Sequence, residues 1–422
     1  MTMTEDPNEL SLFLHWGPIT ALIVTLTVTL TTWKWWPPEV NFSTSAHFAL
    51  FVLLNLLAVY NYVMAVLTGP GLLPRRWQPV HYRETKFLQY CQKCEGYKAP
   101  RTHHCRRCDR CVKKMDHHCP WINRCVGWAN QAYFVYFLFF YALCNLHAAV
   151  VLACGGIRFF YSSYHQAQLF HNGSLTRLVH YHFFSLFMCI MSFGLALGIV
   201  LCMIKLLFIQ LSSILKNMTD IEHWIVQKAK SRRYMHKLKP FVFPYDLGWY
   251  ANLGQVFNIE SQLRSRGIDW PLRKGCDQYA LTCEQLAQKA DKRNRTRTYK
   301  CITPATGHWL PIWSQGLMVT LGAPCTDDPR ISLQPDDLVR VTRIRDYWLF
   351  GERVVDKDQG GGKVDERKGP IRGWFPSRCA VDITHNQASN GSGDHCAANV
   401  PNTTETKRRV GKKGKFGKRN QD

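Results

Sequence analysis

The chain has 422 residues, 46% of them hydrophobic, with 53 Lys and Arg against 30 Asp and Glu and a formal net charge of +23. That length holds two or three domains, and the charge points to an anionic partner: nucleic acid, anionic lipid or a phosphorylated ligand. The 17 cysteines cluster at metal-ligand spacing beside lysines, which argues against a secreted disulfide framework and for zinc in a reducing compartment.

A mean hydropathy of −0.20 reads as soluble, but the average hides segregation. Residues 1–11 are acidic and polar, with no basic head of a signal peptide. Apolar runs then cover residues 12–33, 46–67, 133–154 and 183–211. Each is about twenty residues or more, enough to cross a ~30 Å hydrocarbon core as a helix. Trp33, Trp35 and Trp36 close the first run as interface aromatics do. The polar residues Asn55, Asn61, Asn145, His147 and Lys205 are expected to face neighbouring helices or to snorkel.

Between the second and third runs lies the densest chemistry. Residues 91–125 hold seven cysteines (Cys91, Cys94, Cys105, Cys108, Cys111, Cys119, Cys125) and four histidines (His103, His104, His117, His118). Cys-x-x-Cys steps fall at 91/94, 105/108 and 108/111. Structural zinc takes four thiolate or imidazole ligands in a closed tetrahedron. Two Cys3His sites would therefore leave one cysteine and two histidines over. A spare thiol beside a spare imidazole is the arrangement of an activated nucleophile. Spacing alone does not say which cysteine is spare.

The run Asp116-His117-His118-Cys119-Pro120-Trp121 resembles the DHHC protein S-acyltransferases (palmitoyltransferases), and residues 91–127 follow that family's cysteine-rich domain. The resemblance implies a first zinc on Cys91, Cys94, His104 and Cys111, and a second on Cys105, Cys108, His118 and Cys125. It leaves Cys119 as acyl acceptor, His117 as its base and Asp116 as the group that orients His117. Where the family has Asp-Pro-Gly after the second span, this chain has Gly69-Pro70-Gly71, expected to serve turn geometry.

Charge sets orientation. The connector 34–45 holds one Lys or Arg and 155–182 holds two, against 13 in 68–132 and 36 after residue 211. Basic connectors stay cytoplasmic, so both termini and the zinc block are expected in the cytosol. The Asn172-Gly173-Ser174 sequon is then lumenal.

Past the fourth run, Thr219 and Glu222 form a capping box that predicts a helix start. Ile221, Trp224 and Ile225 share one face with basic residues following, the pattern of a helix lying on an anionic leaflet. Asp220 replaces the second Thr of the family's Thr-Thr-x-Glu motif. Pro244-Tyr245-Asp246-Leu247-Gly248 with Asn252 resembles the family's C-terminal packing motif, and a buried structural role is expected. Residues 285–300 read as linker or solvated helix. Beyond them, Leu333–Val339, Tyr347–Leu349 and Gly373–Pro376 resemble strands of an SH3-like barrel. Cys379 stands where such a domain holds a groove tyrosine, so proline-rich ligands are not expected. Cys325 and Cys379 are expected to be cytosolic thiols open to acylation. The end of the chain, from about 385, reads as a disordered basic tail.

The expected protein is thus an α-helical polytopic membrane protein with four transmembrane helices, a cytosolic two-zinc domain and a C-terminal SH3-like β-barrel. Its expected parts are 1–67 (tail and first two spans), 68–132 (zinc-binding DHHC domain), 133–211 (third and fourth spans), 212–305 (amphipathic helix, packing motif and linker), 306–384 (SH3-like) and 385–422 (basic tail). The resemblance implies transfer of a long-chain acyl group from palmitoyl-CoA through acyl-Cys119 to cysteines of membrane-associated proteins. The subgroup with an SH3-like tail implies the endoplasmic reticulum. Lys98, Arg101 and His103, ahead of the second Cys-x-x-Cys, are candidates for the CoA phosphates. A membrane adaptor with a purely structural zinc block is the other reading. Four spans argue against a nucleic-acid binder.

Overall fold

The computed structural model describes residues 9–37, 41–169, 175–258, 266–309, 311–326, 328–354 and 371–384. The sequon at Asn172 and the tail from 385 lie outside the described residues. The chain divides into two units, Met1–Asp291 and Lys292–Asp422.

In the first unit, a short helix α1 (Glu9–Phe13) precedes α2 (Trp16–Lys34) and α3 (Phe42–Thr68). After the zinc block come α4 (Gln131–Leu169) and α5 (Leu175–Leu215). Four helices are long and apolar enough to cross a membrane: Trp16–Lys34, Phe42–Thr68, Gln131–Tyr161 and Phe183–Leu215. Each begins or ends within a few residues of the run that predicts it. Asn41 caps α3 through a reciprocal bond with Thr44. Where the spans converge, Val28, Phe51, Cys144, Ala148, Ala149 and Ala196 pack together. The small side chains let backbones approach, as helix contacts in a bilayer require. Leu201, Ile204 and Phe208 stay exposed on α5, as lipid-facing positions do.

The part of this unit between and beyond the spans begins with three two-stranded antiparallel hairpins: β1 (Gln89–Cys91) with β2 (Gly96–Lys98), β3 (His103–Cys105) with β4 (Arg110–Val112), and β5 (His117–Cys119) with β6 (Arg124–Val126). Helix α6 (Asp220–Met235) starts at the predicted cap, with Thr219 and Glu222 each bonding the other's backbone N–H. Its apolar face is not free for the leaflet. Ile225 and Val226 are buried against Phe243, Tyr245, Trp270 and Leu281, with Ile221 half-buried beside them, and only Trp224 points outward. Arg232 and Arg233 both reach Glu284, whose side chain is 1% exposed. The basic end of α6 is therefore spent largely on protein. In the packing motif, Asn252 is fully buried and donates to the Leu215 carbonyl at 2.8 Å and to Asp246 at 2.7 Å, tying α7 (Trp249–Phe257) to the end of α5.

The second unit is an antiparallel sheet of five strands in the order β12-β11-β10-β7-β13, with a separate β8–β9 pair. Its strands are β7 (Arg297–Cys301), β10 (Leu338–Arg345), β11 (Trp348–Val354), β12 (Arg372–Pro376) and β13 (Ala380–Asp382), with β8 (Ala305–Thr306) and β9 (Ser332–Leu333) apart. The boundary expected at 305/306 moves upstream, because β7 pairs with both β10 and β13. The charged stretch 285–300 is thus helix α8 (Ala280–Asn294) followed by a core strand. Alternation in β10 buries Val339 and Val341 beneath Leu349, Phe375 and Cys379. Cys325 is exposed, but Cys379 is 0% exposed within that core. Burial removes Cys379 from the thiols open to acylation.

Candidate active site

The hairpins place their ligands by strand alternation. Successive side chains in a strand point to opposite faces, and directly paired residues share a face. His104 pairs with Cys111 and His118 pairs with Cys125. Each pair meets two cysteines of a neighbouring Cys-x-x-Cys. His104 Nδ1 lies 3.5 Å from Cys91 Sγ, 3.5 Å from Cys94 Sγ and 4.0 Å from Cys111 Sγ. His118 Nδ1 lies 3.6, 3.4 and 3.7 Å from Cys105, Cys108 and Cys125 Sγ. A tetrahedral zinc with ordinary bond lengths separates sulfur from nitrogen ligands by about 3.6 Å. In each set the four ligand atoms lie within 4.8 Å of one another. These donors fit two structural zinc ions, which when bound hold the hairpins together.

Three turns share one conformation. Glu95, Asp109 and Asn123 all adopt left-handed φ, at 53°, 47° and 49°, and each follows a Cys-x-x-x step of its hairpin. In the first two hairpins that step is Cys-x-x-Cys. In the third it is Cys119-Pro120-Trp121-Ile122, so Cys119 sits in a ligand-type turn that lacks its second sulfur. Ile122 is instead buried with Val126, Phe134 and Leu138 around Cys119.

The same alternation separates the two histidines. His118 faces the metal set, so His117 and Cys119 share the other face of β5. His117 Nδ1 donates to Asp116 Oδ2 at 2.9 Å, which leaves Nε2 as the basic nitrogen. Burial alone would push His117 down. The Asp116 bond, then the hydrogen bond and charge of Cys119, reverse that and raise it to about 10. Burial likewise pushes the Asp116 carboxyl up, but the bonds and charge of His117, with donors from Gln210 and the Asp220 backbone, hold it below its ordinary value. Asp116 is 2% exposed. The trio can take a proton from Cys119 and keep it.

The loop carrying Cys119 is pinned against the membrane helices. Tyr62 donates to the Trp121 carbonyl at 2.9 Å, and Asn123 donates to the Leu12 carbonyl at 3.2 Å. A Cβ on Gly17 would lie 2.0 Å from the Pro120 carbonyl oxygen, so only glycine lets α2 approach this closely. Half-buried Phe13, Tyr62, Phe137, Met203 and Leu207 pack against the buried cluster that contains Cys119.

The three residues expected at CoA phosphates are placed differently. Arg101 is 3% exposed. It donates to both Glu222 oxygens at 2.7 and 2.8 Å and to the Asn217 side chain and backbone at 3.1 and 2.7 Å, stacked on Tyr245 and Trp270. A phosphate would have to displace Glu222. Burial pushes His103 down to about 4, so it carries no charge to offer an anion. Both line, with half-buried Lys98, a cavity of about 10 Å³, the size of one water. Arg101 instead locks α6 onto the zinc block. Glu222→Ala should strand that guanidinium in the interior at a cost of about 3–5 kcal/mol. Thermal denaturation would register a much lower Tm than for Glu222→Gln, which keeps an acceptor.

Comparison with known proteins agrees with this site. Residues 84–227 match the family model described as DHHC palmitoyltransferase. Palmitoyltransferase ZDHHC6 of Danio rerio is 39% identical over 403 residues, covering 92% of this chain and 96% of the relative. The human protein of that name is 39% identical over 407 residues with the same coverage. Probable protein S-acyltransferase 16 of Arabidopsis thaliana is 37% identical over 238 residues, 52% of this chain and 75% of the relative. With its paired zinc-type ligand sets and an unclaimed cysteine beside an Asp–His pair, the chain belongs to the DHHC palmitoyltransferase family.

Proposed function

We propose that the protein S-palmitoyltransferase activity of this chain runs through Cys119. The single observation that carries this is the third turn, where a cysteine in a ligand-type position has isoleucine for a partner and imidazole beside it. His117 takes the thiol proton, with Asp116 stabilising the imidazolium. The thiolate attacks the thioester carbonyl of an acyl-CoA, the C–S bond to CoA breaks, and the CoA thiolate leaves with a proton. A target-protein cysteine then attacks acyl-Cys119 and releases the enzyme thiol. The apolar surround of Cys119 supports a long-chain donor such as palmitoyl-CoA, because the tail can lie among the spans while the thioester meets the cytosolic block. Lys98 remains the candidate for a CoA phosphate. Purified protein incubated with labelled acyl-CoA should acquire a hydroxylamine-labile label. A membrane adaptor with a structural zinc block would acquire none.

Charge supports the orientation: 13 Lys and Arg in 68–132 against one and two in the connectors 34–45 and 155–182 favour a cytosolic active site and cytosolic termini. Residence in the endoplasmic reticulum follows the subgroup resemblance. Chain-length selection belongs to the same reading. Cys144 lies eleven residues past Tyr133, about 16 Å deeper along α4, and is buried where the spans converge. Cys144→Tyr should therefore shift autoacylation from sixteen- and eighteen-carbon donors towards fourteen, at an overpacking cost. An unchanged profile in an active variant would remove Cys144 from the acyl path.

The C-terminal sheet supports an SH3-like reading by its antiparallel five-strand order. Trp348 and Trp374 pack under Val319, and Trp348 Nε1 donates to the Val319 carbonyl at 2.8 Å. With that aromatic face occupied and Cys379 buried, the domain positions or regulates the enzyme and does not take proline-rich peptides. Full-length protein should show no micromolar binding to PxxP peptides, and such binding would refute this role.

A further inference from the structure

Gln210 lies on α5, five residues before its cytosolic end, and is 4% exposed. An amide in an apolar helix costs free energy unless both its ends are bonded, and both ends are spent here. Its Nε2 donates to Asp116 Oδ2 at 2.8 Å, the same oxygen that receives His117 Nδ1. Its Oε1 accepts from Gln131 Nε2 at 3.4 Å, which fixes the amide orientation with its donor towards the carboxylate. The other carboxylate oxygen, Oδ1, accepts the Asp220 backbone N–H at 3.0 Å. The Asp116 carboxylate is thus held by a span on one side and a helix N-terminus on the other. Met203, Leu207 and Gln210 recur at helical spacing on one face of α5. Met203 and Leu207 pack against the buried cluster that contains Cys119, so one helix face both lines the nucleophile's surroundings and grips the group behind its base.

We propose that Gln210 is a positioning residue for acyl transfer, fixing the rotation of Asp116 and through it the aim of His117 at Cys119. This rests on the acyl-Cys119 reading. Gln210→Met keeps the length of the side chain and removes its N–H donor. Single-turnover autoacylation of the full chain in detergent should then show a maximal rate about tenfold lower, the worth of one hydrogen bond to a charged group. The half-saturating acyl-CoA concentration and the two bound zinc ions should stay unchanged, a split that a merely structural role would not produce. In an Asp116→Ala background, Gln210→Met should cause no further loss, since its only route to the base is gone. A Gln210→Met rate within twofold of native overturns the inference while leaving acyl-Cys119 intact. So does an undiminished effect in the Asp116→Ala background. Absence of any label on the native protein instead removes the reading beneath it. If Gln210→Met loses zinc, Gln131→Leu carries the test: it frees the Gln210 amide to turn and should lower the rate about threefold with zinc retained. An unchanged rate there overturns the proposal.

Discussion

His118→Ala is expected to lose the second zinc and, with it, the folded hairpins around Cys119. His118 Nδ1 sits within 3.7 Å of all three sulfurs of its set, so alanine leaves three thiolates facing one another with no fourth ligand. Zinc binding in small domains is worth on the order of 10 kcal/mol of folding free energy, comparable with the whole stability of a typical domain. The adjacent His117 should behave oppositely. It lies on the other face of the strand, so His117→Ala should retain two zinc ions and slow autoacylation by ~10²-fold, the scale of a lost general base. Metal content by elemental analysis, paired with single-turnover labelling, separates the two. Equal zinc loss in both variants would refute the division of roles.

The second large effect is at Cys119. Cys119→Ser should abolish thioester labelling and leave two zinc ions per chain, because neither of the two ligand sets among the described residues includes this sulfur. A serine hydroxyl is far less acidic than a thiol, so His117 would rarely find a nucleophile to deprotonate. Loss of metal in this variant would mean that Cys119 is a ligand and that another cysteine is spare.

The spans and the α6 cap were legible in the sequence because each depends on local pattern, hydropathy and a Thr-x-x-Glu box. Cysteine spacing showed that two ligand sets fit, and the family resemblance assigned their members. A further signal was present and unused. Residues 103–112, HHCRRCDRCV, repeat at a fourteen-residue offset as 117–126, HHCPWINRCV. That repeat puts Ile122 where Cys108 stands and marks Cys119 as the sulfur without a partner. Other features depend on contacts distant in sequence. Arg101 read as a surface cation because Glu222, which neutralises it, is 121 residues away. The face of α6 read as lipid-facing because Tyr245, Trp270 and Leu281, which cover it, arrive later in the chain. Gln210 carries no local signal in the sequence, and only the fold brings Asp116 to it. Strand β7 was hidden by its charge: in Arg297–Cys301 only Cys301 is buried, so the strand lacks an apolar alternation to find.

The most direct test is to incubate the full-length protein in detergent with labelled palmitoyl-CoA, digest it, and map the acyl group by mass spectrometry with and without hydroxylamine. The label should fall on the peptide containing Cys119, disappear with hydroxylamine, and be chased off by CoA or an acceptor thiol. A stable label confined to another cysteine, with Cys119 unmodified, would contradict the mechanism.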